Sequence, residues 1–223
     1  MFRTATTLAG LALVLGTAAA LGHGDTAPMA VDTTGLPDLP EEMATENPWR
    51  EADPEVMYKA VEIGSKGYNS NCARCHGLEA ISGGLAPDLR FLEADDFGDE
   101  WFLDRVLNGY HQNGAVKMPP FGDILSQEAI WAIRTYIETR PDDQELAEKQ
   151  PDIQSYHAQL SNAADDAAVA ALAEALASSA AELETLSGAP KTITALDAAA
   201  FLLAQDPPQR KKALDVLTQA LRN

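Results

Sequence analysis

Cysteine is nearly absent: Cys72 and Cys75 are the only two in 223 residues. A zinc site needs four ligands, and with no second Cys pair that reading is weaker. A disulfide between them would close a very small loop. A thioredoxin-like redox pair needs a preceding strand and a βαβ context, and neither is readable here. Basic residues are also scarce, 16 Lys and Arg against 34 Asp and Glu, for a formal net charge of −18. Nucleic acid and anionic membrane surfaces are therefore poor partners, and a basic protein surface is a better one. Beyond the first 22 residues no run is long and apolar enough to span a bilayer. No acidic cluster has calcium-loop spacing.

The two cysteines stand in Cys72-Ala73-Arg74-Cys75-His76. Two thiols separated by two residues, with histidine directly following, read as a c-type haem attachment site. Each thiol adds to one haem vinyl group, so the pair must lie about a haem edge apart. His76 then reaches the iron from one face through a neutral imidazole nitrogen.

Residues 1–22 read as a signal peptide: Arg3, an apolar run from Leu8 to Leu21, and small residues at its end. Export agrees with haem attachment outside the bacterial cytoplasm and implies a periplasmic protein with no span left after cleavage. Residues 23–53 are rich in proline and acid and show little periodicity, which predicts an extended arm with Trp49 packed on the neighbouring domain. A helix is predicted from Pro54, with Asp53 as cap. Gly64, Tyr68 and Cys72 succeed one another at four-residue steps on one face, and Gly64 removes bulk where another helix would cross. Pro87 lies in the next loop. It is either an ordinary loop proline or one whose carbonyl accepts the Nδ1 hydrogen of His76. A short helix is predicted over 99–108 and a turn over 110–114.

Met118-Pro119-Pro120 is the second informative stretch. Methionine is usually core filler. A thioether on a proline-stiffened loop suits the sixth iron position better, where Met/His ligation raises the reduction potential. His111 is the rival ligand and would give a lower potential. Ser126 caps a final apolar helix that Arg140-Pro141 ends, predicted to cross the first helix near Gly64.

Together, Gly64, Tyr68, Cys72-x-x-Cys75-His76, Pro87-x-Leu89, Met118-Pro and the Ile133/Tyr136 helix resemble the class I monohaem cytochromes c over residues 54–140. The resemblance implies an all-α fold around one covalent haem c. It implies thioethers at Cys72 and Cys75, His76 and Met118 on the iron, and the Pro87 carbonyl on His76. Within that family, His23-Gly24-Asp25, the run Tyr68 to Gly84 and the run Leu125 to Arg134 are similar to PedF-type cytochromes c. These take electrons from periplasmic quinoprotein (PQQ-dependent) alcohol dehydrogenases. The family pattern ends soon after Arg140.

The implied organisation is a signal peptide (1–22), an arm (23–53), a cytochrome c domain (54–150) and a helical extension (151–223). The extension holds 20 alanines in 73 residues. Val169, Leu172, Leu176, Leu183 and Leu186 predict one helix, Thr194 and Asp197 cap a second, and Asp206 with Pro207-Pro208 opens a third. A helical hairpin or three-helix unit is expected. A haem with both axial positions filled has no open substrate site. The chain therefore reads as a carrier, not an enzyme, with a quinoprotein alcohol dehydrogenase as donor and a downstream cytochrome or terminal oxidase as acceptor. The alternative is a haem-based catalyst or ligand sensor, which requires a displaceable Met118.

Overall fold

The structure is a computed structural model and describes residues 27–222. The signal peptide and His23 lie outside these residues. Helix α1 (Pro54–Asn71) starts where local chemistry places it. The Asp53 carboxylate accepts from the Glu55 and Val56 amides, and Pro54 fills the first turn. Its buried side carries Met57, Ala60, Val61, Ile63, Gly64, Gly67 and Tyr68.

Helix α4 (Gln127–Glu138) is capped by Ser126 and buried along most of its length. It crosses α1 at Gly64, where a Cβ would lie 1.9 Å from the Ala132 carbonyl oxygen. Any side chain there would force the backbones apart, so glycine is required by the crossing. This is the all-α core expected of the class I fold. Tyr68, Phe102, Val106, Ile130, Ile133 and Tyr136 fill it on one side, and Trp49, Ile63 and Trp131 on the other. Trp49 thus anchors the arm onto α1 and α4.

Two further α-helices and a β-hairpin lie between α1 and α4. Helix α2 (Ala73–His76) comes almost directly after α1. Helix α3 (Asp96–Asn108) begins earlier than the predicted Asp99, because Asp95 accepts from the Gly98 amide and caps it. Residues 110–114 are more than a turn. Strands β1 (Tyr110–Gln112) and β2 (Ala115–Met118) pair antiparallel, His111 opposite Val116 and Gln112 opposite Ala115. The two-residue loop Asn113-Gly114 has φ of 52° and 76°, the left-handed pair that a tight hairpin takes to match strand twist.

The carboxy-terminal region departs from a three-helix unit. After a short α5 (Asp143–Glu148) come α6 (Gln150–Asn162), α7 (Asp166–Ala180), α8 (Ala195–Leu203) and α9 (Arg210–Ala220). Four of these, α6 to α9, share a core built on Ile153, Leu160, Leu172, Leu176, Leu196 and Leu217. The Thr194/Asp197 capping box is formed. Leu183 and Leu186 both fall beyond the end of α7, so the predicted helix stops short of them. Asp206 does not cap α9: the chain turns through Pro207-Pro208, the Gln209 amide bonds to the Leu202 carbonyl, and the helix starts at Arg210. Arg210, the first of three consecutive basic residues with Lys211 and Lys212, donates to the Leu160 and Ala163 carbonyls at the end of α6, so its charge has a structural role. His157 bonds to Thr218 at 3.0 Å, a helix-packing role. Tyr58 of α1 stacks on Phe201 of α8 at 4.2 Å, joining the two cores. No described helix is long and apolar enough to cross a membrane.

Candidate haem site

The end of α1 and the start of α2 put both thiols on one turn. The Cys72 amide bonds to the Tyr68 carbonyl at 2.7 Å, while the Cys75 and His76 amides both bond to the Cys72 carbonyl. Residues three apart on such a turn point the same way. Both thiols are free, and burial, then the nearby Cys75, pushes the Cys72 thiol up to about 12. Gly77 then turns the chain at φ 85°, where a Cβ would lie 1.8 Å from the Ile81 carbonyl oxygen. The Tyr68 hydroxyl donates to the Gly77 carbonyl at 2.8 Å and ties the turn to α1.

His76 lies half-buried, with Nδ1 2.9 Å from the Pro87 carbonyl oxygen. A carbonyl oxygen only accepts, so the contact needs a hydrogen on Nδ1, and in the neutral ring this leaves the Nε2 lone pair free. Burial lowers the His76 pKa against the opposing pull of the Pro87 carbonyl. A neutral imidazole with one nitrogen engaged and the other open is the form in which histidine binds iron.

The loop that carries Pro87 is braced by residues the motif did not reveal. Ser82 Oγ donates to the Ala86 carbonyl at 2.5 Å. The Ser82 amide donates to Asp88, and the buried Arg90 bridges Asp88 and Asp143, each at 2.8 Å. Against the cost of burial, Arg90 and the backbone amides of Arg90 and Ser82 hold Asp88 below the usual carboxylate range. The Asp88-x-Arg90 spacing was the available signal, since an aspartate two residues before a donor forms local turns.

Met118 ends β2, half-buried, and borders the main core together with Cys72, Ala73, Leu92, Leu103 and Leu107. Pro119 and Pro120 come next, and the Phe121 amide then bonds to the Val106 carbonyl at 2.8 Å. His111 is exposed on β1 and stands outside that border. Leu85 and Phe91, either side of Pro87 in sequence, expose 70% and 62% of their surface, which suits a hydrophobic group. The donor set therefore fits a c-type haem: two thiols for its vinyl groups, an imidazole and a thioether for its iron. A haem held with both axial positions filled would move electrons and leave no open substrate position.

Comparison with known proteins agrees. A family model described as "Cytochrome C oxidase, cbb3-type, subunit III" matches residues 59–137. The chain is 56% identical over 133 residues to cytochrome c550 of Pseudomonas aeruginosa, covering 59% of this chain and 88% of that protein. It is 36% identical over 84 residues to the quinohemoprotein alcohol dehydrogenase ADH-IIG of Pseudomonas putida, 38% of this chain but 11% of the dehydrogenase. It is 27% identical over 99 residues to the cbb3-type cytochrome c oxidase subunit FixP of Rhizobium meliloti, 39% of this chain and 32% of that subunit. No solved structure matches. The protein is thus an electron carrier with covalently bound haem c, and not an enzyme. More narrowly, the chain belongs to the class I monohaem cytochrome c family.

Proposed function

We propose that this chain is a periplasmic carrier that takes electrons from a PQQ-dependent alcohol dehydrogenase and hands them to a downstream cytochrome or terminal oxidase. Cys72 and Cys75 hold the haem as thioethers, and His76 and Met118 occupy the two axial positions. The observation that supports this reading is His76, anchored through Nδ1 on the Pro87 carbonyl directly after the two free thiols, with Met118 and Cys72 both packed against the main apolar core. The haem supplies a one-electron change at its iron. The chain does the rest. The Pro87 carbonyl orients the imidazole, and β2 with the two prolines presents the thioether. The core behind Tyr68 and Tyr136 excludes water. Residues 1–22 direct export, 23–53 form the arm, 54–150 the haem-bearing domain and 151–223 an added helical unit.

Likeness to the quinohemoprotein alcohol dehydrogenases and to FixP supports partners of these two kinds. Residues 23–150 carry 25 acidic and 10 basic side chains, so encounter with a basic surface is favoured. The test is rapid mixing of the ferric protein with a reduced, ethanol-loaded quinoprotein alcohol dehydrogenase at rising salt. Haem reduction on mixing, slowed by salt, is the expected result. A rate no faster than that of free PQQ hydroquinone would overturn the donor assignment.

A further inference from the structure

Helix α4 ends at Glu138, and its last carbonyls need partners from elsewhere. The carboxy-terminal region supplies them. Ser187 Oγ donates to the Glu138 carbonyl at 2.6 Å, and the Ile193 amide donates to the Thr139 carbonyl at 3.2 Å. Arg140 comes next and is buried. Its guanidinium donates through Nε to the Tyr136 carbonyl and through Nη1 to Glu79 Oε2, both at 3.1 Å. Nη2 donates to the Ile193 carbonyl. The Tyr136 hydroxyl donates to the same Glu79 oxygen at 3.1 Å. One arginine therefore joins α4, the segment before α8, and Glu79. Glu79 is the third residue after His76, held at φ 53°.

We propose that Glu79 and Arg140 are a charge pair that sets the reduction potential of the haem, with the carboxy-terminal region holding Arg140 in place through the Ile193 carbonyl. The proposal rests on haem at Cys72, Cys75 and His76. Ferric haem carries one more positive charge than ferrous haem. A carboxylate three residues from the iron ligand favours the ferric state and lowers the potential. The Arg140 cation opposes it. Arg140 is a positioning residue as well: its planar fork reaches three acceptors at once, which a lysine ammonium on a flexible stem does not.

The test is a spectroelectrochemical titration of the full-length haem-loaded protein at low ionic strength, where screening of the part-exposed Glu79 is least. Wild type is compared with E79Q, R140Q, R140K and the double variant E79Q/R140Q, with thermal melting beside each. The potential is expected to rise in E79Q, fall in R140Q, and return close to wild type in the double variant. R140K is expected to keep part of the fall. Singles that shift the same way, or an unmoved potential in a folded E79Q, would overturn the charge-pair role. Complete rescue by R140K would overturn the part given to Ile193. Because Glu79 is half-exposed, E79Q decides the sign even if R140Q melts too low to titrate. A wild type without a c-haem spectrum would instead break the underlying reading, whereas failure with the alcohol dehydrogenase would leave these potentials untouched.

Discussion

The haem-bearing part and the carboxy-terminal helices are cored in opposite ways. The first buries charge. Asp99 and Arg134 are both fully inaccessible and 2.8 Å apart, Glu138 is close to Arg134, and Arg50 reaches from the arm to both acids. Asn47 closes the network onto Asp99, Thr135 and Glu138. The second uses leucine and alanine around α6 to α9, with Thr194–Asp197 as its buried polar pair. A buried ionic network adds little net stability over an apolar one of equal volume, yet removing a single member is costly. An alanine-leucine core loses stability in proportion to the cavity made. The haem-bearing part therefore depends on a few named contacts as well as on its apolar core, and the carboxy-terminal part on summed area.

Arg134→Met is the sharpest way to break that comparison. It leaves Asp99 and Glu138 buried without their cation, and a loss of about 3–5 kcal/mol is expected in denaturant melts. Leu176→Ala in the other core is expected to cost about 2–4 kcal/mol, with faster amide exchange in α7 and α8 before any change near α4. If Leu176→Ala costs more than Arg134→Met, the ranking of the two cores is wrong.

Acid separates the parts more finely. Against burial, Arg90 holds Asp88 low, and hydrogen bonding to Arg90 holds Asp143 low. Groups lowered on folding stabilise above their unfolded value, about 3.9, and lose that contribution as pH falls through the folded value. Asp197 runs the other way, since burial raises it against the Thr194 hydrogen bonds. Its contribution is greatest below about pH 3.9 and declines as pH rises through its folded value. Acidification is expected to loosen the Pro87 loop before the α8 cap, by amide exchange at Ser82 and Arg90 against Thr194 and Leu196. The reverse order would contradict these assignments.

Local chemistry was legible in the chain: the Asp53-Pro54 start, the Thr194/Asp197 box and the Gly64 crossing all depend on neighbours or on one missing side chain. Helix α6 was missed: Pro151 in its first turn and the Ile153, Tyr156, Leu160 spacing were the available signals, but its polar composition hid the stripe. The hairpin was signalled by Asn113-Gly114 and looked like a bare turn because its strands are exposed and short. The ionic network could not be read from spacing, because Asn47 and Glu138 stand 91 residues apart and each looks like a surface residue. The joint between Arg140 and Ile193 was hidden for the same reason, 53 residues of chain.

The most direct test of the account is an absorbance spectrum of the purified, exported protein, oxidised and reduced, with Met118→Ala and His111→Ala beside it. Methionine-bound ferric haem has a weak long-wavelength band that bis-histidine or open haem lacks. The account predicts this band in wild type and His111→Ala and its loss in Met118→Ala. A wild type without the band, or a Met118→Ala variant that keeps it, would contradict the assignment and with it the closed, electron-carrying site.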